Sequence, residues 1–295
     1  MKSIFSLMIC CCVAGVANAW ITDSDFNDEG QLNSAEAVVA MEADNCGESY
    51  VAQAAVESPS SSASLSGASS NKKTYTVKGV SFTMLRVDGG TFQMGSNDGE
   101  YDEKPVHSVT LNSYQIGQTE VTQALWKAVM GNNPSWFKGD DLPVERVSWN
   151  DCQDFIAKLN QMTGEAFRLP TEAEWEFAAK GGNKGNGATY SGSDNLYDVA
   201  WYASNSSSKT HAVGTKAPNE LGIYDMSGNV QEWCHDRYVS YANEERAKTA
   251  GQASGSGRVY RGGSWLDNAM FCRTANRSLN APSFTHSNLG LRLAR

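Results

Sequence analysis

The sequence predicts an α+β domain with little regular secondary structure, and three observations lead to this prediction. Short stretches of alternating apolar and polar residues, typical of β-strands, occupy the region from Tyr75 to Ile116. Helical periodicity with start and stop signals follows between Thr119 and Ala179. The residues from Asn183 to Arg295 are rich in Gly, Asn, Ser and aromatic residues. Such a composition predicts long loops that must be held by packing, a disulfide or a bound cation.

The strands come first along the chain. Tyr75–Val87 alternates on either side of Lys78-Gly79, which predicts two paired strands joined by a turn at these residues. Thr91–Gly95 predicts another short strand, and Val106–Ile116 alternates again.

Three helices are expected next. The first covers Thr119–Met130 and is ended by Gly131, and the second follows Ser148 and runs to Met162. The third starts at Thr171 with a Thr-x-x-Glu capping box. Its glutamates occupy alternate positions, so we expect them to face solvent and to favour the positive end of the helix dipole. They are Glu172, Glu174 and Glu176.

The N-terminal part of the chain has a different character. Residues 1–19 combine Lys2, a short apolar run and Ala17-Asn18-Ala19, which predicts a signal peptide. A buried helix or a lipid anchor at one of Cys10, Cys11 and Cys12 is an alternative for this segment. Residues 20–73 are acidic and then Ser-rich, which predicts a flexible linker before a domain at 74–295. We therefore expect a protein that is secreted, periplasmic or on the cell surface, without a transmembrane segment.

Charge and cysteine content narrow the possible partners. The net charge is −9 and no Lys/Arg cluster occurs, which argues against nucleic acid and anionic membranes as partners. Four of the seven cysteines remain after the signal peptide, in a compartment that permits disulfides, and spacing alone does not choose a pairing. Of these, Cys152 lies on the apolar face of the second predicted helix and is expected to be buried.

Five motifs together resemble the sulfatase-modifying-factor family, whose best-known member is the formylglycine-generating enzyme. The motifs are Val87–Gly95, Pro143–Asp151, Arg168–Glu176, Gly228–Trp233 followed by Arg261–Trp265, and Asn288–Arg292. The resemblance covers about Met84 to Arg295. It implies the irregular, loop-rich variant of the C-type lectin fold found in that family.

The resemblance also implies a chemistry that this sequence only partly retains. The enzyme oxidises a sulfatase cysteine with oxygen and a copper ion held by two cysteines, a donor pair that suits Cu(I). The matching positions here are Asp267 and Cys272, so one thiolate is missing and copper is not expected. If catalysis remains, Cys272 is its sole thiolate and Ser264 helps to position oxygen or a sulfatase polypeptide. The resemblance further suggests a Cys234–Cys272 disulfide, worth about 2–4 kcal/mol.

A calcium loop is the second feature that the resemblance implies. Asp225 and Glu232 would provide side-chain oxygens, and Gly228 and Val230 would provide backbone carbonyls. The alternative is a tight turn with Gly228 at positive φ and Glu232 in a local salt bridge.

The last stretch of the chain is similar to the variable ligand-binding face of lectin-type relatives diversified by retroelements, although drift on an exposed loop remains the alternative. The candidate ligand-binding residues are Trp265, Leu266, Asp267, Met270, Phe271, Phe284 and His286. Trp136, which follows Asn132-Asn133-Pro134-Ser135, is a further aromatic of interest. We expect a monomeric, non-catalytic module that binds a protein or glycan around Arg261–Trp265. A formylglycine-generating or related oxidase with an altered metal site is the alternative.

Overall fold

The computed structural model describes residues 71–241 and 257–295. The predicted signal peptide, nearly all of the predicted linker and Cys46 lie outside the described residues. The strands are β1 (Lys72–Val77), β2 (Val80–Val87), β3 (Gly90–Met94), β4 (His107–Leu111), β5 (Tyr114–Gly117), β6 (Gln231–Arg237), β7 (Arg258–Arg261), β8 (Arg277–Asn280) and β9 (Leu289–Leu291). The helices are α1 (Gln123–Met130), α2 (Trp149–Thr163), α3 (Glu172–Ala179) and α4 (Leu196–Val199). The α+β prediction is confirmed, and no helix in the described ranges is long and apolar enough to cross a membrane.

The predicted hairpin forms as the alternating pattern indicated. Strands β1 and β2 pair in antiparallel register around Lys78 and Gly79, both of which have positive φ. Strand β2 also pairs with β5, giving a three-stranded sheet, while β3 and β4 form a separate antiparallel pair. The segment predicted to alternate from Val106 to Ile116 is therefore two strands in two different sheets.

The helix boundaries follow the capping residues. Helix α1 starts at Gln123, later than predicted, because Thr122 caps it by accepting the Leu125 amide hydrogen. Both α2 and α3 begin with complete capping boxes, at Ser148 and Thr171. Such caps satisfy amides that the first turn leaves free, which is why these starts were predictable.

The C-terminal half contains a sheet that the sequence did not predict. Strands β8, β7, β6 and β9 lie side by side in that order, and β6 runs parallel to β9. The strands have three to seven residues each and pair across long sequence separations. This sheet brings the Arg261–Trp265 segment and the Asn288–Arg292 segment to opposite sides of β6.

The expectation that the α3 glutamates face solvent is wrong, because all three are buried. Glu172 is paired with Arg277, Glu174 with Arg168, and Glu176 with both Arg261 and Lys180. A carboxylate removed from water needs such partners to offset its lost hydration. Glu172 and Glu176 therefore tie α3 to the C-terminal sheet, whereas Glu174 holds Arg168 just before the helix.

The cysteines of the domain correct a third expectation. Cys152, Cys234 and Cys272 are buried free thiols, so the Cys234–Cys272 disulfide is not formed in this structure. Cys234 packs with Trp175 and Phe177, whereas Cys272 packs in a separate cluster with Leu196 and Val199. The prediction that Cys152 is buried is confirmed.

Candidate functional site

The Arg261–Trp265 segment leads from the core to the surface. It leaves β7 through two glycines with positive φ, 100° at Gly262 and 66° at Gly263. A Cβ at Gly262 would lie 3.1 Å from the Trp175 ring, and one at Gly263 would lie 2.7 Å from the Cys272 sulfur. Only glycine fits this path without displacing its neighbours. The chain then passes buried Ser264 and Trp265 and reaches the surface at Leu266, which is 50% exposed.

Arg261 itself faces inward and is only 1% exposed. Its guanidinium pairs with Glu176 and Glu172 and donates to the backbone carbonyl oxygens of Thr274 and Ala275. These contacts tie the turn to α3 and to the chain before β8. Arg261 is a structural residue in this geometry, and the surface that could meet a ligand begins at Trp265.

A hydrogen-bonded polar group underlies that surface. The Ser264 hydroxyl donates to Asp267 over 2.5 Å and accepts from the Asn288 amide at 3.0 Å. Gln231 donates to the same Asp267 oxygen at 3.1 Å, and His286 Nδ1 lies 2.5 Å from Asn288 Oδ1. Burial raises the pKa of Asp267, and the Ser264 hydrogen bond opposes that rise. These contacts fix the 264–267 turn against the segment that ends at Asn288.

The copper donor pair of the enzyme does not fit these residues. Asp267, at the position of the first cysteine, is already bound to Ser264 and Gln231. Burial raises the pKa of the Cys272 thiol far above its ordinary value, which disfavours the thiolate that Cu(I) binds. The other two described thiols, Cys152 and Cys234, pack in other core clusters. One protonated thiol and one engaged carboxyl do not make a two-thiolate site.

The predicted calcium ligands do not form a complete set either. Both oxygens of Glu232 accept from Arg292, and one also accepts from the Trp175 indole at 2.7 Å. Gly228 has φ of 84°, as the tight-turn alternative required. Asp225 Oδ2 accepts from the Gly214 amide, while its Oδ1 is buried without a hydrogen-bond partner. Calcium at this loop therefore stays a prediction, and Glu232 would have to leave Arg292 to bind it.

Several predicted ligand-binding residues meet around Trp265. The Trp265 indole donates to the Ser287 carbonyl at 3.0 Å, which joins the 264–267 turn to the 284–287 segment. There the Phe284 ring lies parallel to the His286 ring, with centroids 6.2 Å apart. We name Leu266, Phe284 and His286, with Trp265 beneath them, the ligand face. Met270 and Phe271 are exposed on a separate 3-10 helix, Ala269–Cys272, whose backbone packs on Gly263.

A second aromatic segment adjoins the ligand face, and only Trp136 in it was singled out from the sequence. Trp136 is 66% exposed, with the Arg146 guanidinium 5.8 Å from its ring centroid. Phe137 sets its edge against Trp265 at 5.3 Å. The Arg146 amide donates to the His286 carbonyl at 3.1 Å, so the residue whose guanidinium lies over Trp136 is also bound to the ligand face. Nothing local in the sequence connects residues 136 and 265, although the Asn-Asn-Pro-Ser stretch marks an exposed turn.

Comparisons with known proteins agree with this architecture. The family model for the sulfatase-modifying factor enzyme 1-like domain matches residues 69–295. The chain is 35% identical to the chaperone protein LppX of Paenibacillus barcinonensis, with 63% of this chain and 80% of the relative aligned. It is 34% identical to a formylglycine-generating enzyme of Thermomonospora curvata, over 72% of this chain and 92% of the enzyme.

The fold is shared with a solved protein at a similar level of identity. The structure of Treponema denticola variable protein 1 superposes with a TM-score of 0.68 and 39% identity, covering 76% of this chain and 98% of that one. Relatives of this kind thus include enzymes and proteins with other names, so the fold alone does not assign an activity. The family model and these relatives show that the chain belongs to the sulfatase-modifying-factor family of formylglycine-generating-enzyme-like proteins.

Proposed function

We propose that this chain is an exported, non-catalytic binding module that uses the ligand face to hold a protein or a glycan. The observation that carries the proposal concerns Asp267 and Cys272, which occupy the positions of the enzyme's two copper-binding cysteines. Asp267 is locked to Ser264 and Gln231, and Cys272 is a buried thiol in an apolar cluster. The same contacts that disfavour a copper site also fix the turn, and a fixed turn lowers the ordering cost of binding.

The exposed side chains support a recognition role. Leu266 presents an exposed aliphatic side chain, and its neighbour Trp265 is hydrogen-bonded to the segment that carries the stacked rings of Phe284 and His286. Aromatic rings on a fixed backbone provide contact area with little entropy loss, and they serve both protein and sugar ligands. Export and a monomeric state belong to the proposal as well, and they rest on the composition of residues 1–19 and the net charge of −9.

An oxidase of the formylglycine-generating type is the second candidate, favoured by the 34% identity to an enzyme with that activity. In that case Cys272 would act alone as a thiolate and Ser264 would position oxygen or substrate. Ser264 already donates its proton to Asp267, so it would first have to change partner.

A cross-linking comparison tests the binding proposal. A photoreactive benzoylphenylalanine replaces Leu266 in one variant and Met162 in another, since both side chains are exposed and Met162 lies at the end of α2. Each variant is exposed to a surface extract of the source organism and, separately, to an array of defined glycans. We expect adducts from the cross-linker at position 266 and not from the one at position 162, and glycan binding that is lost in Leu266→Asp but kept in Met162→Asp. Equal adducts from both positions, with binding unaffected by Leu266→Asp, would refute the proposal.

A further inference from the structure

Two buried side chains form hydrogen bonds to the turn that carries Trp136 and Phe137. Gln123 of α1 donates to the Phe137 carbonyl at 2.9 Å and the Pro143 carbonyl at 3.1 Å, while its own oxygen accepts from Asn133 and Gly139. All four of its hydrogen bonds go to the 133–143 segment. This shapes the turn independently of pH.

Glu145 is the second buried holder, and it has ionisable chemistry. Its Oε1 accepts the Phe137 amide at 2.8 Å, and the Trp136 amide is a further donor to the carboxylate. The Glu145 amide in turn donates to the Ser135 hydroxyl at 3.1 Å. The side chain is fully buried, and its Oε2 has no hydrogen-bond partner. A carboxylate that accepts backbone amides holds them about twice as strongly as a neutral acid does.

We propose that the Trp136–Phe137 turn forms a second wall of the ligand face and that Glu145 is the residue that positions it. This inference rests on the proposed function, since the wall matters only if the ligand face binds. Phe137 contacts Trp265 edge-on, so the carboxylate acts on the ligand face through one aromatic contact. Glu145 touches no ligand itself.

The charged groups around Glu145 make its role testable by pH. Burial raises the pKa of Glu145 to about 7, while the backbone amides, Arg146 and Lys138 oppose the rise. His286 is the titratable group of the adjoining segment, joined through its carbonyl to the Arg146 amide. Protonation of Glu145 weakens its hold on the Phe137 amide, so the turn loosens as the pH falls through about 7.

Selective labelling of phenylalanine reports the hydrogen bond between the Phe137 amide and Glu145 in the full chain, without any ligand. The chain has ten phenylalanines, so ¹⁵N-Phe labelling gives few amide signals, and Phe137→Leu identifies the relevant one. Acrylamide quenching of Trp136, taken as the difference between the parent and Trp136→Phe, reports the position of the turn. Both are recorded from pH 5 to 8.5 in the parent, in Glu145→Gln and in His286→Gln.

We expect the Phe137 amide shift and the Trp136 quenching to change together, with a midpoint near pH 7 in the parent. Both profiles become flat in Glu145→Gln, whereas His286→Gln keeps the midpoint. A flat Phe137 profile in the parent, or a transition that survives Glu145→Gln, overturns the inference. These measurements need no ligand. The pH transition can therefore be absent while the cross-linking test succeeds, or present while the cross-linking test fails, and the two failures are distinguishable. Near-ultraviolet circular dichroism shows whether Glu145→Gln is folded, and rescue by Glu145→Asp separates positioning from packing.

Discussion

The Glu120–Asp225 pair should make the protein less stable as the pH rises, and Glu120→Gln should relieve that loss. Both side chains are buried at 2–3% exposure, and each carries one oxygen without a hydrogen-bond partner, Glu120 Oε2 and Asp225 Oδ1. Burial first, and the neighbouring carboxyl second, raises the pKa of Glu120 well above its ordinary value. Burial likewise raises the pKa of Asp225. The Arg292 guanidinium opposes both rises, but it is already paired with Glu232.

The sign of the effect follows from proton binding. A carboxyl with a raised pKa keeps its proton in the folded state, while the unfolded chain releases it above its ordinary pKa. The stabilising contribution is therefore complete below that ordinary pKa and is lost as the pH rises towards the folded value. Glutamine at position 120 carries no charge and can donate its amide hydrogen to Asp225 Oδ1 at any pH, whereas Glu120 donates to Asp225 only while it is protonated. Its own oxygen can still accept the Asn229 amide, as Glu120 Oε1 does at 3.0 Å.

The magnitude follows from the hydrogen bond that the variant keeps at a pH where the parent has lost this proton, since two carboxylates have no donor between them. A hydrogen bond to a charged buried acceptor contributes about 1.5–3 kcal/mol. For a domain of this size, about 2 kcal/mol corresponds to a rise in Tm of roughly 4–8 °C. The gain should appear at pH 8 and fade towards pH 4, where the carboxyls of the parent are protonated. Glu232→Gln is the matched control, since it leaves Arg292 buried with a weaker partner and should cost about 3–5 kcal/mol.

Thermal unfolding followed by circular dichroism at pH 4 to 8 measures these shifts, with calcium or a chelator added in parallel. A Glu120→Gln variant that is less stable than the parent at pH 8 would refute the reasoning. So would a parent that calcium stabilises at pH 8 while the variant does not respond, because the pair would then be holding a cation rather than a proton. That outcome would support the calcium predicted at Asp225, whereas a Tm unchanged by the chelator would defeat it.

Three further predictions concern packing and the thiols. Gln123→Leu should lower the free energy of unfolding by about 3 kcal/mol in urea denaturation, because four hydrogen bonds to the Trp136–Phe137 turn are lost; a change below about 0.5 kcal/mol would contradict this. Gly263→Ala should cost about 2 kcal/mol more than Gly164→Ala, since the two glycines share positive φ but only the first would meet atoms, at 2.7 and 2.8 Å; equal costs would show that the close approach does not matter. The described thiols should react with Ellman's reagent only after denaturation, and rapid reaction of any of them in the native protein would contradict their burial; they are Cys152, Cys234 and Cys272.

Local signals in the sequence predicted the first half of the fold well. Lys78-Gly79 marks a tight turn, and Ser148 and Thr171 start helices with side-chain caps, so each element is specified within a few residues. The C-terminal sheet was not predictable in this way. Strand β9 has three residues and is specified by its pairing with β6, which lies nearly sixty residues earlier.

The candidate site shows the same limit. Alternate spacing on α3 suggested a solvent-facing role for Glu176, but its partner Arg261 comes from a strand 85 residues away. Resemblance placed Cys234 and Cys272 together, whereas side-chain packing puts them in separate clusters. Glu145 was not singled out at all, because its role depends on a buried oxygen and a backbone amide that no spacing rule reveals.

Conversion of a Cys-x-Pro-x-Arg peptide tests the central claim most directly. The purified full chain is incubated with the peptide, Cu(I) and oxygen, and mass spectrometry follows the change of the peptide thiol to an aldehyde beside an active formylglycine-generating enzyme. The state of Asp267 and Cys272 predicts no aldehyde from this chain at any copper concentration that supports the enzyme. Aldehyde formed by the parent protein and abolished in Cys272→Ala would contradict a non-catalytic binding module.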